Sequence, residues 1–243
     1  MRMLTFTNRN AKEILRDPLN LAFTFGFPLV LLLLLSAIQA NIPVALFEIA
    51  HLTPGITVFG LSFMTLFSAT LIAKDRSTSL LQRLYTTPLT SVDFILGYTL
   101  PIVPIAVIQS AVCYLAAMLL GLPFSANILL ALVFIVPVSL LYIALGLLCG
   151  SVLTDKQAGG ICGALLTNVS AWLSGIWFDL DLVGGAFKKF AYALPFVHAV
   201  EMQRSVLAGD ISGIFPHIWW VLGYSAVCLI AAVLLFLRQM KKQ

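Results

Sequence analysis

The chain has 243 residues, of which 60% are hydrophobic and only 10% charged, with a formal net charge of +4 and a mean hydropathy of +1.03. Soluble domains carry roughly 25% charged residues, so this composition excludes a water-soluble globular protein and points to an integral membrane protein. The small positive charge makes no basic stripe of the kind a nucleic-acid partner needs, and in a membrane protein basic residues mostly set orientation.

The chain begins with an amphipathic stretch, LTFTNRNAKEILRDP. Leu4, Ala11, Ile14 and Leu15 can share an apolar stripe while Arg9, Lys12, Glu13 and Arg16 stay polar, the pattern of a helix lying on a membrane surface. Pro18 breaks it before the first apolar run. The segment lacks a small-residue cleavage site and reads as retained rather than as a signal peptide.

Six apolar runs reach spanning length, at about 21–40, 54–73, 94–120, 126–150, 158–178 and 217–237. Each meets the ~20 residues that a spanning helix needs, and lipid leaves a helix as the way such a run satisfies its backbone. Pro28, Pro101, Pro104 and Pro137 fall inside runs and are expected to kink them. The expectation is an all-α, polytopic membrane protein: a single transmembrane domain over residues 1–243 with six transmembrane helices.

Between the second and third runs lies AKDRSTSLLQRLYTTPLT, residues 73–90. Capped by Asp75 or Ser77, residues 78–86 can form a short helix with Leu80, Leu81, Leu84 and Tyr85 on one face and Gln82 and Arg83 on the other. Thr87-Pro88 ends it, because the residue before a proline avoids the helical region. From pattern alone this helix either meets a partner outside the membrane or lies on the anionic leaflet.

Eleven of the fourteen basic residues fall on one side of this topology: Arg2, Arg9, Lys12, Arg16, Lys74, Arg76, Arg83, Lys156, Arg238, Lys241 and Lys242. The positive-inside rule then makes both termini cytoplasmic. Trp172, Trp177, Trp219 and Trp220 fall toward the opposite interface, as aromatic belts do. The long connection at 179–216 faces out. It reads as helix, break, helix, with Phe187, Phe190, Ala191 and Leu194 at helical spacing, Pro195 interrupting, and His198, Glu201 and Arg204 recurring every three residues. Buried near a membrane, Glu201 and Arg204 need each other as partners.

No span carries an ionisable residue at its centre, which argues against ion-coupled transporters and voltage sensors. There is no HExxH and no GxxxxGK[ST], so neither a zincin nor a P-loop reading fits. Cys113, Cys149, Cys162 and Cys228 show no CxxC spacing and read as small packing residues. The polar groups inside the spans are Gln109, Asn168 and scattered Ser and Thr. Gln109, Thr167, Asn168, Ser170 and Ser174 are candidates for a translocation path or for hydrogen bonds between neighbouring helices. Phe59, Phe63 and Phe67 form an i, i+4, i+8 stripe suited to packing or lipid. Gly146…Gly150 and Gly159…Gly163 are GxxxG spacings suited to close helix contact.

Three stretches together resemble the ABC-2 type permeases, the membrane subunits of ATP-binding-cassette exporters. They are LRDPLNLAFTFGFPLVLLLL, LLQRLYTTPLTSVDFILGYTL, and LSGIWFDLD followed by FAYALPFVHAVEMQRSVLAGD. Two features depart from the family pattern: Lys74-Asp75-Arg76 stand where an acidic cluster and Gly-Thr are usual, and no proline follows the exit of the fifth span. The resemblance implies a dimer of permease subunits, homomeric or heteromeric, with two copies of a separate ATPase that carries the ATP and Mg; the chain itself holds no cofactor. It implies that the 78–86 helix is a cytoplasmic coupling helix, with Arg76, Leu80, Leu81, Gln82, Arg83, Leu84, Tyr85, Thr87 and Pro88 toward the ATPase. Asp155, Lys156 and Gln157 make a second candidate contact, equally readable as a solvated turn. It also implies that Pro195, His198, Glu201 and Arg204 belong to an external re-entrant hairpin between spans five and six. The uncharged path favours a hydrophobic or amphipathic cargo (drug, antibiotic or lipid-like). The alternatives are a glycan exporter permease and a polytopic membrane protein without an ATPase partner.

Overall fold

The computed structural model describes residues 2–42, 45–78 and 90–240, and among them every regular element is helical. In chain order these are α1 (Arg2–Leu15), α2 (Pro18–Asn41), a 3-10 turn (Ala45–Phe47), α3 (Ile49–Ser77), α4 (Ser91–Thr99), α5 (Ile102–Leu119) and α6 (Ala126–Val152). Then come α7 (Asp155–Gly160), a π-helical segment (Ile161–Leu166), α8 (Thr167–Trp172), α9 (Leu180–Val183), α10 (Gly185–Tyr192), α11 (Pro195–Ala208) and α12 (Ile211–Met240).

Five stretches are long and apolar enough to cross a membrane: Pro18–Asn41, Ile49–Ser77, Val92–Leu119, Ala126–Val152 and Ile211–Leu235. The run expected at 158–178 is different. Helical structure there begins at Asp155, passes through the π segment and stops at Trp172, with turns from 173 to 178. Gly159, Gly160 and Gly163 in this stretch weaken helix propensity, and π turns are where such a helix accommodates an extra residue.

Helix α3 runs through the middle of the bundle and is buried on nearly all sides, whereas α2 and α12 expose most of their length. Its tightest neighbour is α6, and small residues explain why. A Cβ at Gly146 would stand 1.8 Å from Ser68 Oγ and 2.4 Å from the Thr65 carbonyl, and one at Gly150 would stand 2.6 Å from the Ala69 carbonyl. That approach lets the Thr65 and Ser68 hydroxyls donate to the carbonyls of Tyr142 at 2.9 Å and Ile143 at 3.2 Å, the bridging that small and hydroxylated residues provide between membrane helices. The second GxxxG spacing behaves otherwise: Gly159 has nothing within 4 Å of a built Cβ, and Gly163 meets only Leu66.

The third run breaks at Leu100–Pro101 into α4 and α5, as the proline requires. Pro28 and Pro137 lie inside continuous helices, and so do Pro54 and Pro216. Thr90 and Asp93 make a reciprocal capping box that starts α4, and Thr154 and Gln157 make another that starts α7.

One local expectation changes, and α1 gains a packed face that its pattern did not show. Asp75 and Ser77 are not helix N-caps, because α3 runs through Asp75 to Ser77 and has Thr78 as its C-cap. In α1 the buried face is Phe6, Asn10 and Ile14, while Leu4 and Leu15 are 63% and 65% exposed. The reason is a docking partner the sequence did not advertise. The Phe6 ring sits 5.0 Å edge-on from Tyr98 and 6.4 Å from Phe94, over Gly97, where a Cβ would collide with it at 2.2 Å. Helix α1 therefore packs on α4 as part of the bundle.

Candidate functional site

The end of the bundle that carries the N-terminus holds a polar cluster at both stems of the 78–90 connection. Asp75 is the last acidic residue of α3 and only 1% exposed. The Arg9 guanidinium of α1 donates to both its oxygens, at 2.5 and 2.7 Å, and the Tyr98 hydroxyl of α4 donates to Oδ2 at 2.7 Å. Arg9 also donates to Asn10 Oδ1 at 2.8 Å, and Asn10 Nδ2 donates to the Gly97 carbonyl at 3.0 Å. A buried carboxylate survives only when paired and hydrogen-bonded, and three donors satisfy this one. Burial pulls the Arg9 pKa down, but the bond and charge of Asp75 outweigh it and leave Arg9 raised. Asp75 and Tyr98 thus belong to helices on opposite sides of the 78–90 connection, and α1 ties both together.

Beside this clamp Lys74 donates to Glu13 Oε1 at 2.5 Å, and that bond holds the Glu13 carboxyl below its ordinary range. Arg76 lies one residue beyond Asp75 and turns the other way. Its guanidinium donates to the Ser151 carbonyl and, at 2.5 Å, to that of Leu153, closing the C-terminal end of α6. Leu80, Leu81, Gln82, Arg83, Leu84, Tyr85, Thr87 and Pro88 lie outside the described residues. Asp155, Lys156 and Gln157 are exposed at the start of α7, and Gln157 Oε1 accepts from the Thr154 amide at 3.0 Å.

Two grooves meet on the same flank. The first, ≈ 790 Å³, is lined by Glu13, Arg16, Asp17, Lys74 and Asp155 above Phe67 and Leu71. The second, ≈ 370 Å³, is lined by Phe23, Phe27, Phe59, Phe63, Thr167 and Asn168. Both share Asn20, Leu66 and Gly159, so the charged groove and the aromatic cleft adjoin. In the cleft Phe27 lies 5.8 Å from Phe59 and 6.1 Å from Phe63, and Trp177 backs Phe59 at 5.7 Å. Of the polar residues considered for a path, Thr167 and Asn168 reach this cleft. Gln109, Ser170 and Ser174 do not. They are buried, with Gln109 against Cys113 and Ser110, Ser170 donating to Thr167, and Ser174 donating to Ala171.

At the opposite end, about 36 Å away along α3 at 1.5 Å per residue, α10 and α11 form the expected pair of helices broken at Pro195. Helix α11 is buried along Phe196, Val197, His198, Ala199, Val200, Met202, Gln203 and Val206. Arg204 donates to Glu201 Oε1 at 2.8 Å, to the Gly175 carbonyl at 3.2 Å and to the His51 carbonyl at 3.3 Å. Burial lowers the pKa of Arg204, against the pull of Glu201.

The residues that sequence reading missed are Arg9, Asn10 and Tyr98, and the true role of Asp75. An acidic residue at the polar end of a long apolar run was the available signal, since such a residue calls for a base. The sequence separation of 66 between Arg9 and Asp75 hid which base answers it.

In comparison with protein-family models, the model described as ABC-2 type transporter matches residues 1–208. A comparison with curated proteins finds no match.

Proposed function

This chain belongs to the ABC-2 type transporter family, a family of membrane transport components, and from that premise we propose that it is the permease subunit of an ATP-driven exporter for amphipathic molecules. In this reading residues 155–172 make the sixth crossing. Eighteen residues at 1.5 Å each give about 27 Å, close to the ~30 Å hydrocarbon core. Both termini face the cytoplasm of a cell-membrane protein, as the basic residues favour. Two permease subunits, alike or different, pair with two copies of a separate ATPase that binds ATP and Mg.

The observation that carries the cargo class is the pair of adjoining grooves. One presents Glu13, Arg16, Asp17, Lys74 and Asp155, and the other presents four phenylalanines with Thr167 and Asn168. Such a surface suits a molecule with a polar head and an apolar or aromatic body, since apolar walls with a few placed polar groups are what small-molecule sites use. ATP-driven motion reaches the groove through the 78–90 connection, whose stems carry Asp75 and Tyr98, and through Arg76 on the end of α6. Alternating access then follows from two packings of these helices, biased by the ATPase. Helices α10 and α11 form the outer lid.

Everted membrane vesicles containing the full transporter test this reading with a panel of a hydrophobic cationic dye, a lysolipid and a lipid-linked glycan. ATP-dependent uptake of the dye or lysolipid, reduced severalfold by Phe63→Ala and by Asn168→Leu, supports the reading. Uptake of the glycan alone, or of amphiphiles by the two variants at the intact rate, overturns the amphiphile assignment.

A further inference from the structure

The lid end of the bundle contains a histidine pair that neither the groove nor the clamp uses. His198 of α11 and His217 of α12 face each other with their Nδ1 atoms 2.8 Å apart. The other ring nitrogen of His198, Nε2, lies 3.0 Å from the Tyr192 carbonyl at the end of α10. A carbonyl only accepts, so His198 Nε2 carries a proton. In neutral His198 the Nδ1 atom is then an acceptor, and His217 donates to it from its own Nδ1. One backbone carbonyl therefore fixes the tautomers of both rings.

The pair is set in aromatic surroundings. His198 stacks on Trp220 at 4.8 Å and 12° and meets the edge of Tyr192 at 5.8 Å. Trp220 stacks on Tyr224, whose hydroxyl donates to the Ala193 carbonyl at 2.7 Å. The cluster thus fastens three helices, α10, α11 and α12.

Proton counting gives this contact two regimes. A first added proton is accommodated: His198 donates from both nitrogens, and His217 switches tautomer and accepts at Nδ1. A second proton leaves two N–H groups pointing at one another and two positive rings with centroids 5.1 Å apart. No tautomer relieves that. We propose that His198 and His217 form a proton-operated latch, closed with none or one proton bound and open with two, that releases α11 from α12 in acid.

The charged and titratable groups around the latch are few. Glu201 on α11 favours proton uptake. On α10, Tyr192 offers its carbonyl to His198 and carries Lys188 5.7 Å over its ring, and Lys188 is itself paired with Asp181. Tyr224 faces it from α12, and Tyr142 of α6 lies behind Phe196 at 6.2 Å. Burial holds His198 below the ordinary imidazole value of 6.5, with the Tyr192 carbonyl and Glu201 pulling upward and His217 downward. Opening therefore belongs to acid rather than to neutral pH. In the orientation proposed above the latch reads the pH outside the cell, a clause that rests on that reading; the latch itself does not.

Hydrogen–deuterium exchange of the full chain in lipid nanodiscs tests it. Protection of residues 195–208 is compared at pH 7.5 and pH 5.0 after correction for intrinsic exchange. The intact chain is expected to lose at least tenfold protection at pH 5.0. His217→Asn, whose amide N–H takes the place of Nδ1 without a charge, is expected to stay protected at both. His198→Asn removes the pair from the other side and is likewise expected to lose the acid response. An intact chain without an acid response, or a response of equal size in both variants, overturns the latch.

Discussion

Arg9 and Asp75 form a two-bond ion pair, at 2.5 and 2.7 Å, between the amphipathic first helix and the end of the central one. Asp75 is buried, Arg9 is about one-third exposed, and Tyr98 completes the carboxylate's shell from the helix beyond the 78–90 connection. The first helix is thereby a structural strap across both stems of that connection, with Phe6 and Asn10 as its other anchors.

Removing one side of the strap leaves a buried charge without its base. Arg9→Ala is expected to cost about 2–3 kcal/mol, somewhat below the ~3–5 kcal/mol of a fully buried pair because Arg9 keeps some water. Asp75→Asn combined with Arg9→Ala is expected to cost less than the sum of the singles. Thermal unfolding in detergent across the four chains measures this, and strict additivity would show that the two residues do not act together.

The glycines of the two GxxxG spacings are expected to differ sharply. Gly146→Ala places a methyl against Ser68 and the Thr65 backbone and is expected to destabilise by about 1–3 kcal/mol, the range for overpacking. Gly159→Ala, with open space around it, is expected to be neutral or to stabilise by up to about 1 kcal/mol through helix propensity. Equal behaviour of the two in the same unfolding assay contradicts the close contact between α3 and α6.

Glu13 and Lys74 form a second link between α1 and α3 near the strap, but both are partly exposed. The bond from Lys74 lowers the folded-state pKa of Glu13. A lowered carboxylate contributes stability above its unfolded value and loses it as pH falls through the folded one. The contribution is therefore intact at pH 7 and fades below about 4.5. Exposed pairs contribute only ~0.2–1 kcal/mol, so Glu13→Gln is expected to shift the midpoint of unfolding slightly at pH 7, and by less as pH falls further below about 4.5.

Much of this fold was legible because lipid makes the sequence speak plainly. Of the six apolar runs read as spans, five coincide with helical stretches of spanning length, and Pro101 and Pro195 gave two breaks. Glu201 and Arg204, three residues apart on one helix, were readable as a pair from spacing alone. What escaped was contact between distant segments. The face of α1 that packs on α4 is chosen by Gly97 and Tyr98, more than eighty residues later, so its own pattern did not single out Phe6 and Asn10. His198 was visible as a member of a polar row, but His217 belongs to another helix, and no periodicity joins them. The π segment was hidden for a different reason: its apolar residues suit α-helix and π-helix alike.

Glu201→Ala deprives Arg204, whose side chain is 12% exposed, of its only carboxylate among the described contacts. Carbonyls of His51 and Gly175 still hold it. Loss of a charged hydrogen bond is expected to cost about 1.5–3 kcal/mol. Transport is expected to fall while assembly with partner subunits is retained, measured by vesicle uptake and co-purification in parallel. An unchanged uptake rate removes the lid role from this pair.

The most direct test of the account is co-purification from native membranes. The intact chain and Leu84→Arg are solubilised in detergent, captured, and assayed for ATP hydrolysis in the eluate. The account predicts that a P-loop ATPase elutes with the intact chain and is lost with Leu84→Arg, while both chains unfold at similar temperatures. A well-folded intact chain that brings down no ATP-hydrolysing partner contradicts it.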